Sequence, residues 1–264
     1  MKSRSTFFKR LTNFAGFVIA FLVLQQYAIG QSNEDMSSQQ IFDKIVDYYD
    51  PEGLWNTFSG KMKQTSLWNG NLNSQDISLN NKTNTYICFR KREDGIYIKG
   101  IKDGQSFFSI NGKSYTKDDV PEAYQKYPYS LSEHYAQTYK EHHAFHFSYP
   151  LVLKNAGAKP LEGVGEKYVF GQLCQSIKFK ALPNYYINGY YTGDITLYVI
   201  PEQHYKLHAV HIDNGKGRAK EGWMVLLDGE IEVEGIKIPA SKLTFYAGSL
   251  DFLIVDILEI ETGN

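Results

Sequence analysis

The chain has 264 residues, 28 of them basic and 29 acidic, with a mean hydropathy of −0.39. That balance argues against nucleic acid, which needs a positive face, and against binding to a membrane surface by charge alone. The aromatic content, with 20 Tyr and 16 Phe, favours strands whose flat side chains pack on a half-buried pleated surface.

Residues 1–30 read as an export signal. Lys2, Arg4, Lys9 and Arg10 form a basic start, residues 14–24 an apolar core, and Ala28-Ile29-Gly30 a small-x-small cleavage site. The apolar core is too short to span a bilayer comfortably. These residues hold four of the basic groups and no acidic one, so the remainder carries 24 basic against 29 acidic residues, a net charge near −5. The expected location is periplasmic or secreted, with a mature chain that starts near Gln31 and has no transmembrane segment. Residues 31–37 are polar and read as a flexible start, and 38–264 read as one domain.

Ser38 reads as the cap of a helix running to about Tyr49, with Ile41, Ile45 and Tyr48 at helical spacing. Asp50-Pro51-Glu52-Gly53 stops it as a turn. Strand patterns follow at 56–68, 74–91, 94–101 and 104–111, separated by Asn-Gly and Asp-Gly turns. Residues 115–155 break the pattern and read as a helical insertion. A short helix opens near Pro121, and a second runs from Ser130 to about Phe147, where Pro150 limits its continuation. Strands resume at 163–170, 173–182, 190–200, 205–213, 221–233, 236–248 and 251–260.

The fold class expected is mainly β (α+β). It is a curled antiparallel sheet or unclosed β-barrel of about eleven strands, with an N-terminal helix and a helical lid near 115–155. Short turns make the sheet a meander, and a long meander curls. Under the lid an apolar cavity would form.

The order of elements resembles the lipoprotein carriers LolA and LolB. More closely, the chain resembles a family of exported, uncharacterised Bacteroidota proteins. The residues that carry this are Tyr48-Tyr49-Asp50-Pro51-Glu52-Gly53-Leu54-Trp55, with His usual in place of Tyr49, Tyr149-Pro150-Leu151-Val152-Leu153-Lys154-Asn155-Ala156-Gly157, Tyr198-Val199-Ile200-Pro201-Glu202, and Leu227-Asp228-Gly229-Glu230 through Gly235-Ile236-Lys237-Ile238-Pro239. The resemblance implies an unclosed eleven-stranded barrel with helices over its mouth.

Chemistry is sparse in the sequence. His142 and His146 share a helix face at zinc-compatible spacing, with Glu141 or His134 as a third ligand. The rival is an amphipathic segment with hydrogen-bonded imidazoles, and no metal or other cofactor is assigned. No G-x-S-x-G elbow, phosphate loop or dinucleotide fingerprint occurs, so no catalytic residue is assigned either. Cys88 and Cys174 either form a disulfide or stay as two buried thiols. The function expected is non-catalytic: an apolar ligand, such as a lipid or acyl chain, held in the concave face. Its candidate contacts are Trp55, Phe145, Phe147, Tyr149, Leu151, Leu153, Tyr190 and Trp223. The alternative is a cell-envelope protein-interaction module with no small ligand, and an uncharacterised hydrolase ranks below both. N-terminal sequencing of periplasmic protein should begin at or near Gln31, and recovery of an intact residue 1–30 segment from membranes would overturn the export reading.

Overall fold

The curl of this protein follows from which strands meet. A computed structural model describes residues 36–116, 119, 121–122, 133–182, 186–187, 190–191, 193–213 and 220–261, without the side chains of 133–135, 186–187, 190–191 and 261. Residues 1–30, expected to be an export signal, residues 31–35 and most of residues 117–132 lie outside them, as does Tyr185. Residues 37–264 gather into one compact unit, apart from residues 1–36.

Thirteen antiparallel strands form one unclosed sheet. The first meander comprises β1 (Ser59–Trp68), β2 (Asn71–Asn80), β3 (Thr85–Arg92), β4 (Gly95–Lys102), β5 (Gln105–Ile110) and β6 (Lys113–Ser114). The second half has β7 (Gly165–Val169), β8 (Gln172–Phe179), β9 (Tyr186–Ile187), β10 (Tyr190–Tyr191), β11 (Ile195–Ile200), β12 (Lys206–Ile212), β13 (Trp223–Val233), β14 (Ile236–Tyr246) and β15 (Phe252–Glu261). The sheet order is β6-β5-β4-β3-β2-β1-β15-β14-β13-β12-β11-β8-β7, while β9 and β10 pair only with each other. β1 and β15 therefore join the halves, and β6 and β7 become the two outer edges. The chain between those edges carries helices α2 (Glu133–Phe147) and α3 (Tyr149–Asn155).

The expected strand 74–91 is two strands. The break is Asn81-Lys82-Thr83-Asn84, where Asn84 has φ +53° and its N–H bonds the Asn81 carbonyl. Asn tolerates that left-handed geometry without glycine. The sheet thus holds thirteen strands where the sequence pattern counts about eleven.

Helix α1 (Ser38–Tyr49) begins at a capping box whose cap is Ser37, one residue before the Ser38 expected, because Gln40 at the third helical position completes the box from there. Ser37 and Gln40 bond reciprocally through side chain and backbone. Its buried stripe is Ile41, Phe42, Ile45, Val46 and Tyr49. Phe42 meets Phe179 of β8 edge-on at 4.8 Å, and the Tyr49 hydroxyl accepts the Leu207 N–H. The Asp50 carboxylate then accepts the N–H groups of Leu54 (2.6 Å) and Trp55 (3.0 Å), and so starts the short helix Leu54–Thr57. The turn between needs φ +70° at Gly53.

Pro150 acts as a starter as well as a stop. It stands in the first turn of α3, where its missing N–H leaves nothing unpaired. Gly157 at φ +67° ends α3 in a Schellman cap: Ala158 N–H bonds Leu153 O and Gly157 N–H bonds Lys154 O. This sharp helix-to-helix corner drives Phe145, Phe147, Tyr149, Leu151 and Leu153 into the core, each at most 1% exposed. The same core takes Met62, Ile77, Tyr86, Ile238 and Leu258 from the strands.

Cys88 and Cys174 are both free and buried. Cys88 lies on β3, and Cys174 lies on β8 in a separate cluster with Val169, Tyr198 and Met224. Seven strands stand between β3 and β8 in the sheet order, so the two-thiol alternative is the one realised and no disulfide forms. Phe147→Ala should destabilise the fold by about 3–5 kcal/mol through lost burial and the cavity left behind. Urea unfolding of the variant checks this, and a shift below about 1 kcal/mol would mean that the lid corner is not part of the core.

Candidate functional site

Side chains alternate along a strand, so each strand of the sheet sends one row onto the face that α1, α2 and α3 cover. At one end that row is apolar and packed beneath α1 and α3. Towards the other end it turns polar: Gln64 and Ser66 on β1, Gln75 on β2, Cys88 and Arg90 on β3, Lys99 on β4, Lys242 on β14 and Asp256 on β15. Register aligns them. Gln64 is opposite Gln75, Cys88 opposite Lys99, and Asp256 stands between Ser66 and Lys242. Helix α2 covers this band with Tyr139, His142, His143 and His146, which helical spacing puts on one side.

A hydrogen-bond chain crosses the band. The Gln75 amide NH2 donates to His143 Nε2 at 2.9 Å and to Gln64 Oε1 at 3.4 Å. With Nε2 accepting, His143 Nδ1–H donates to the Tyr86 hydroxyl at 2.7 Å. The Cys88 thiol donates to Gln75 Oε1 at 3.5 Å. Gln64 Nε2 donates to Asp256 Oδ1 at 2.8 Å and to Ser66 Oγ at 3.2 Å, and Ser66 in turn donates to Asp256 Oδ1. Lys242 Nζ donates to the His146 carbonyl at 3.2 Å. Each such bond contributes about 1 kcal/mol net, and a buried polar atom left without one costs about 1–3 kcal/mol. The network therefore fixes the lid on the sheet by matching polar groups.

Two ring nitrogens stand outside it. His146 Nδ1 meets the Tyr149 hydroxyl at 2.9 Å, but His146 Nε2 and His142 Nδ1 are buried without a protein hydrogen-bond partner. Their rings lie 4.3 Å apart. Both residues line a cavity of about 300 Å³ under α2. Its wall includes Gln64, Gln75, Arg90, Tyr139, His143 and Asp256, while Trp68, Ile254, Ile212, Trp223 and Val225 supply its apolar part. Trp68 is 49% exposed and marks the mouth, opposite Ile254 on the neighbouring strand.

Of the eight contacts expected from sequence, Trp223 alone lines this cavity. Trp55 lines a second, polar hollow of about 270 Å³ with Asn81, Lys140 and Glu141, and its ring stacks on Phe58. Phe145, Phe147, Tyr149, Leu151 and Leu153 are consumed by the core. The Tyr190 side chain lies outside the described residues. The histidines flagged by spacing do face the cavity, but Glu141 accepts from Gln137 and lines the other hollow, and the His134 side chain is outside the described set. Among the described residues no three His, Cys, Asp or Glu side chains are placed to hold a metal ion. Gln64, Gln75, Arg90 and Asp256 were missed, since strand alternation gives their face but not their meeting under α2. Elsewhere, His208 and His211 are held by the carbonyls of Val169 and Glu221, and Asp194 is paired with Lys178 and Lys180.

Burial and the nearby cations set the charge state. Burial, then the positive Lys242, brings His142 down to about 3, and burial with the adjoining His142 holds His143 and His146 well below the ordinary imidazole range. Burial brings Lys99 down to about 7 and Lys242 to about 8. At neutral pH the histidines are neutral. The unfolded chain gains protons on them below about pH 6.5 while the folded chain does not, so stability is lost as pH falls, by up to about 1.4 kcal/mol per pH unit for each histidine. Urea midpoints measured between pH 7 and pH 5 should fall, and the His142→Gln/His143→Gln/His146→Gln variant should show a flatter slope. An unchanged slope would place the acid sensitivity elsewhere.

Several solved structures are similar in arrangement. A LolA superfamily protein from Nitrosomonas europaea is 7% identical, with a TM-score of 0.47, over 87% of this chain and 94% of that one. A DUF1329 family protein from Desulfovibrio piger is 10% identical, with a TM-score of 0.44, over 86% and 94%. An outer membrane lipoprotein-sorting protein domain from Vibrio parahaemolyticus, itself a provisional assignment, is 10% identical, with a TM-score of 0.38, over 86% and 93%. No curated protein sequence matches the chain. Residues 17–200 match the family of unknown function DUF6503, and the chain belongs to that family.

Proposed function

We propose that this chain is an exported, non-catalytic binding protein for an amphipathic ligand. The ligand's polar group enters the cavity under α2, and its apolar part lies along Trp68, Trp223 and Ile254. The observation that carries this reading is the pair of unpartnered buried nitrogens, His142 Nδ1 and His146 Nε2, on a cavity whose lining also holds Trp68, Trp223 and Ile254. A hydrogen-bonding group brought to them removes a penalty of about 1–3 kcal/mol each, while burying each apolar methylene at the mouth adds about 0.8 kcal/mol. The volume of about 300 Å³ sits at the low end of ligand pockets, which suits a polar group with its tail lying outside better than a wholly enclosed acyl chain. Export rests on the basic, apolar and small-x-small order of residues 1–30. No helix among the described residues is long and apolar enough to cross a membrane.

The second reading is a protein-interaction module. The exposed side chains Tyr168 and Leu173, 71% and 43% exposed on the edge pair β7–β8, favour it. An edge strand with apolar side chains is a ready template for another strand.

Organic extracts of protein purified natively from its own compartment should yield a co-purifying amphipath by mass spectrometry. Trp68→Ala should lower affinity for it at least about tenfold, since that ring carries much of the mouth's apolar area. Extracts that match those of an unrelated exported protein, together with unaltered tryptophan fluorescence on adding amphipaths, would sink the binding reading and leave the edge-strand one.

A further inference from the structure

We infer that the polar group this cavity selects is neutral and rich in hydroxyls, as in a sugar or other polyol head. The inference rests on the binding reading above and names the chemistry of the head. It starts from the charges on the wall. Arg90 and Asp256 both line the cavity. A carboxylate or phosphate entering it would face the Asp256 oxygens beside Arg90, and an ammonium would face the Arg90 guanidinium beside Asp256, with Lys99 and Lys242 close behind, so neither charge is paired outright. Either charge would also leave water for a buried site, which is expensive unless it is paired outright. A neutral head meets neither opposition.

The rest of the wall agrees. Gln64, Gln75 and Ser66 spend their N–H and O–H groups within the network but keep acceptor lone pairs, and Asn73 adds an amide at the rim. The two unpartnered imidazole nitrogens belong to neutral rings, and each can donate or accept according to tautomer. A hydroxyl both donates and accepts, so it suits these leftover acceptors and either tautomer of the two imidazole nitrogens. Asp256 and Arg90 extend the match, because a carboxylate accepts from one hydroxyl of a diol while a guanidinium donates to the next. Trp68 and Trp223 then offer flat apolar rings. A pyranose ring has one C–H face of the same character, so it packs against an indole while its hydroxyls bond sideways. A cation held by His142 and His146 is disfavoured by the same wall, since Lys99 and Lys242 are near and no third ligand joins them among the described residues.

The test holds the tail constant and varies the head. Dodecyl β-D-glucoside, laurate and dodecyltrimethylammonium are titrated below micelle formation into the exported chain, and tryptophan fluorescence is followed. Trp68 and Trp223 report on the cavity, and Trp55 lies outside it. The glucoside should bind at least tenfold more tightly than either charged amphipath. His142→Ala/His146→Ala should cut that preference below threefold. If circular dichroism shows that this double variant is unfolded, Asn73→Leu at the partly exposed rim carries the same expectation. Methyl β-D-glucoside separates two sources of the same head. Affinity equal to the dodecyl form would support a free sugar, and much weaker affinity a glycolipid. Equal affinities for all three dodecyl amphipaths, or a preference for a charged one, would overturn the head assignment and leave the binding reading standing. Binding of none would overturn both.

Discussion

The pairing of β1 with β15 governs everything else. It ties the first strand of the sheet to the last, so the two meanders grow away from a shared seam and their free edges, β6 and β7, end on opposite sides. The chain leaving one edge has to reach the other. Antiparallel twist curls so long a sheet, and the span between the edges is shortest across the hollow side. The helical lid is therefore a consequence of strand order. Remove the seam and the insertion becomes an ordinary excursion from an edge.

Once the lid must cross the hollow, its sequence decides how the hollow is filled. The stretch 145–153 is apolar on nearly every residue. The corner at Ser148 and Pro150 turns that continuous run into the meeting point of two helices, and both of their inner faces are spent on packing. One turn earlier, α2 presents imidazoles instead of phenyl rings, and the sheet answers with amides and a carboxylate. Polar groups at such depth are tolerable only when nearly all are paired. Here they are paired along one chain from Tyr86 through His143, Gln75 and Gln64 to Asp256. On the inner face of α2 two ring nitrogens, His142 Nδ1 and His146 Nε2, are left over, and both residues are on the cavity.

The frame was legible in the sequence because it is local. Helix α1 announces itself by a capping residue and a 3.6-residue stripe, and the hairpins by alternation and Asn-Gly or Asp-Gly turns. The turn at Asn81–Asn84 escaped since it uses asparagine in a left-handed conformation with no glycine. The site was legible only in part. His142 and His146 stand out by spacing. Gln64, Gln75 and Asp256, however, come from three strands, with 192 positions between the first and last, and no short-range pattern joins them. The apolar run 145–153 was read as cavity wall because periodicity shows that a residue is buried but not whether it faces a ligand or a neighbour.

This separation has a consequence for where function resides in the fold. The motifs that carry the family resemblance build the closed end of the hollow. Asp50 holds the corner after α1, Gly157 ends α3, and Glu230 accepts from Tyr48 while pairing with Lys206. None of them touches the cavity under α2. The cavity instead draws on β1, β2, β3, β12 and β15, and on the opposite ends of β13 and β14 from those that carry the motifs. A strand fixed at its closed end by helix packing still alternates at its open end, so the cavity-lining side chains there that do not bond the lid, such as Trp68, Asn73 and Ile254, can change without disturbing what holds it. The paired members of the polar band hold the lid together with the packed closed end, and this is the arrangement in which ligand choice can be set by the few remaining rim side chains while the fold stays the same.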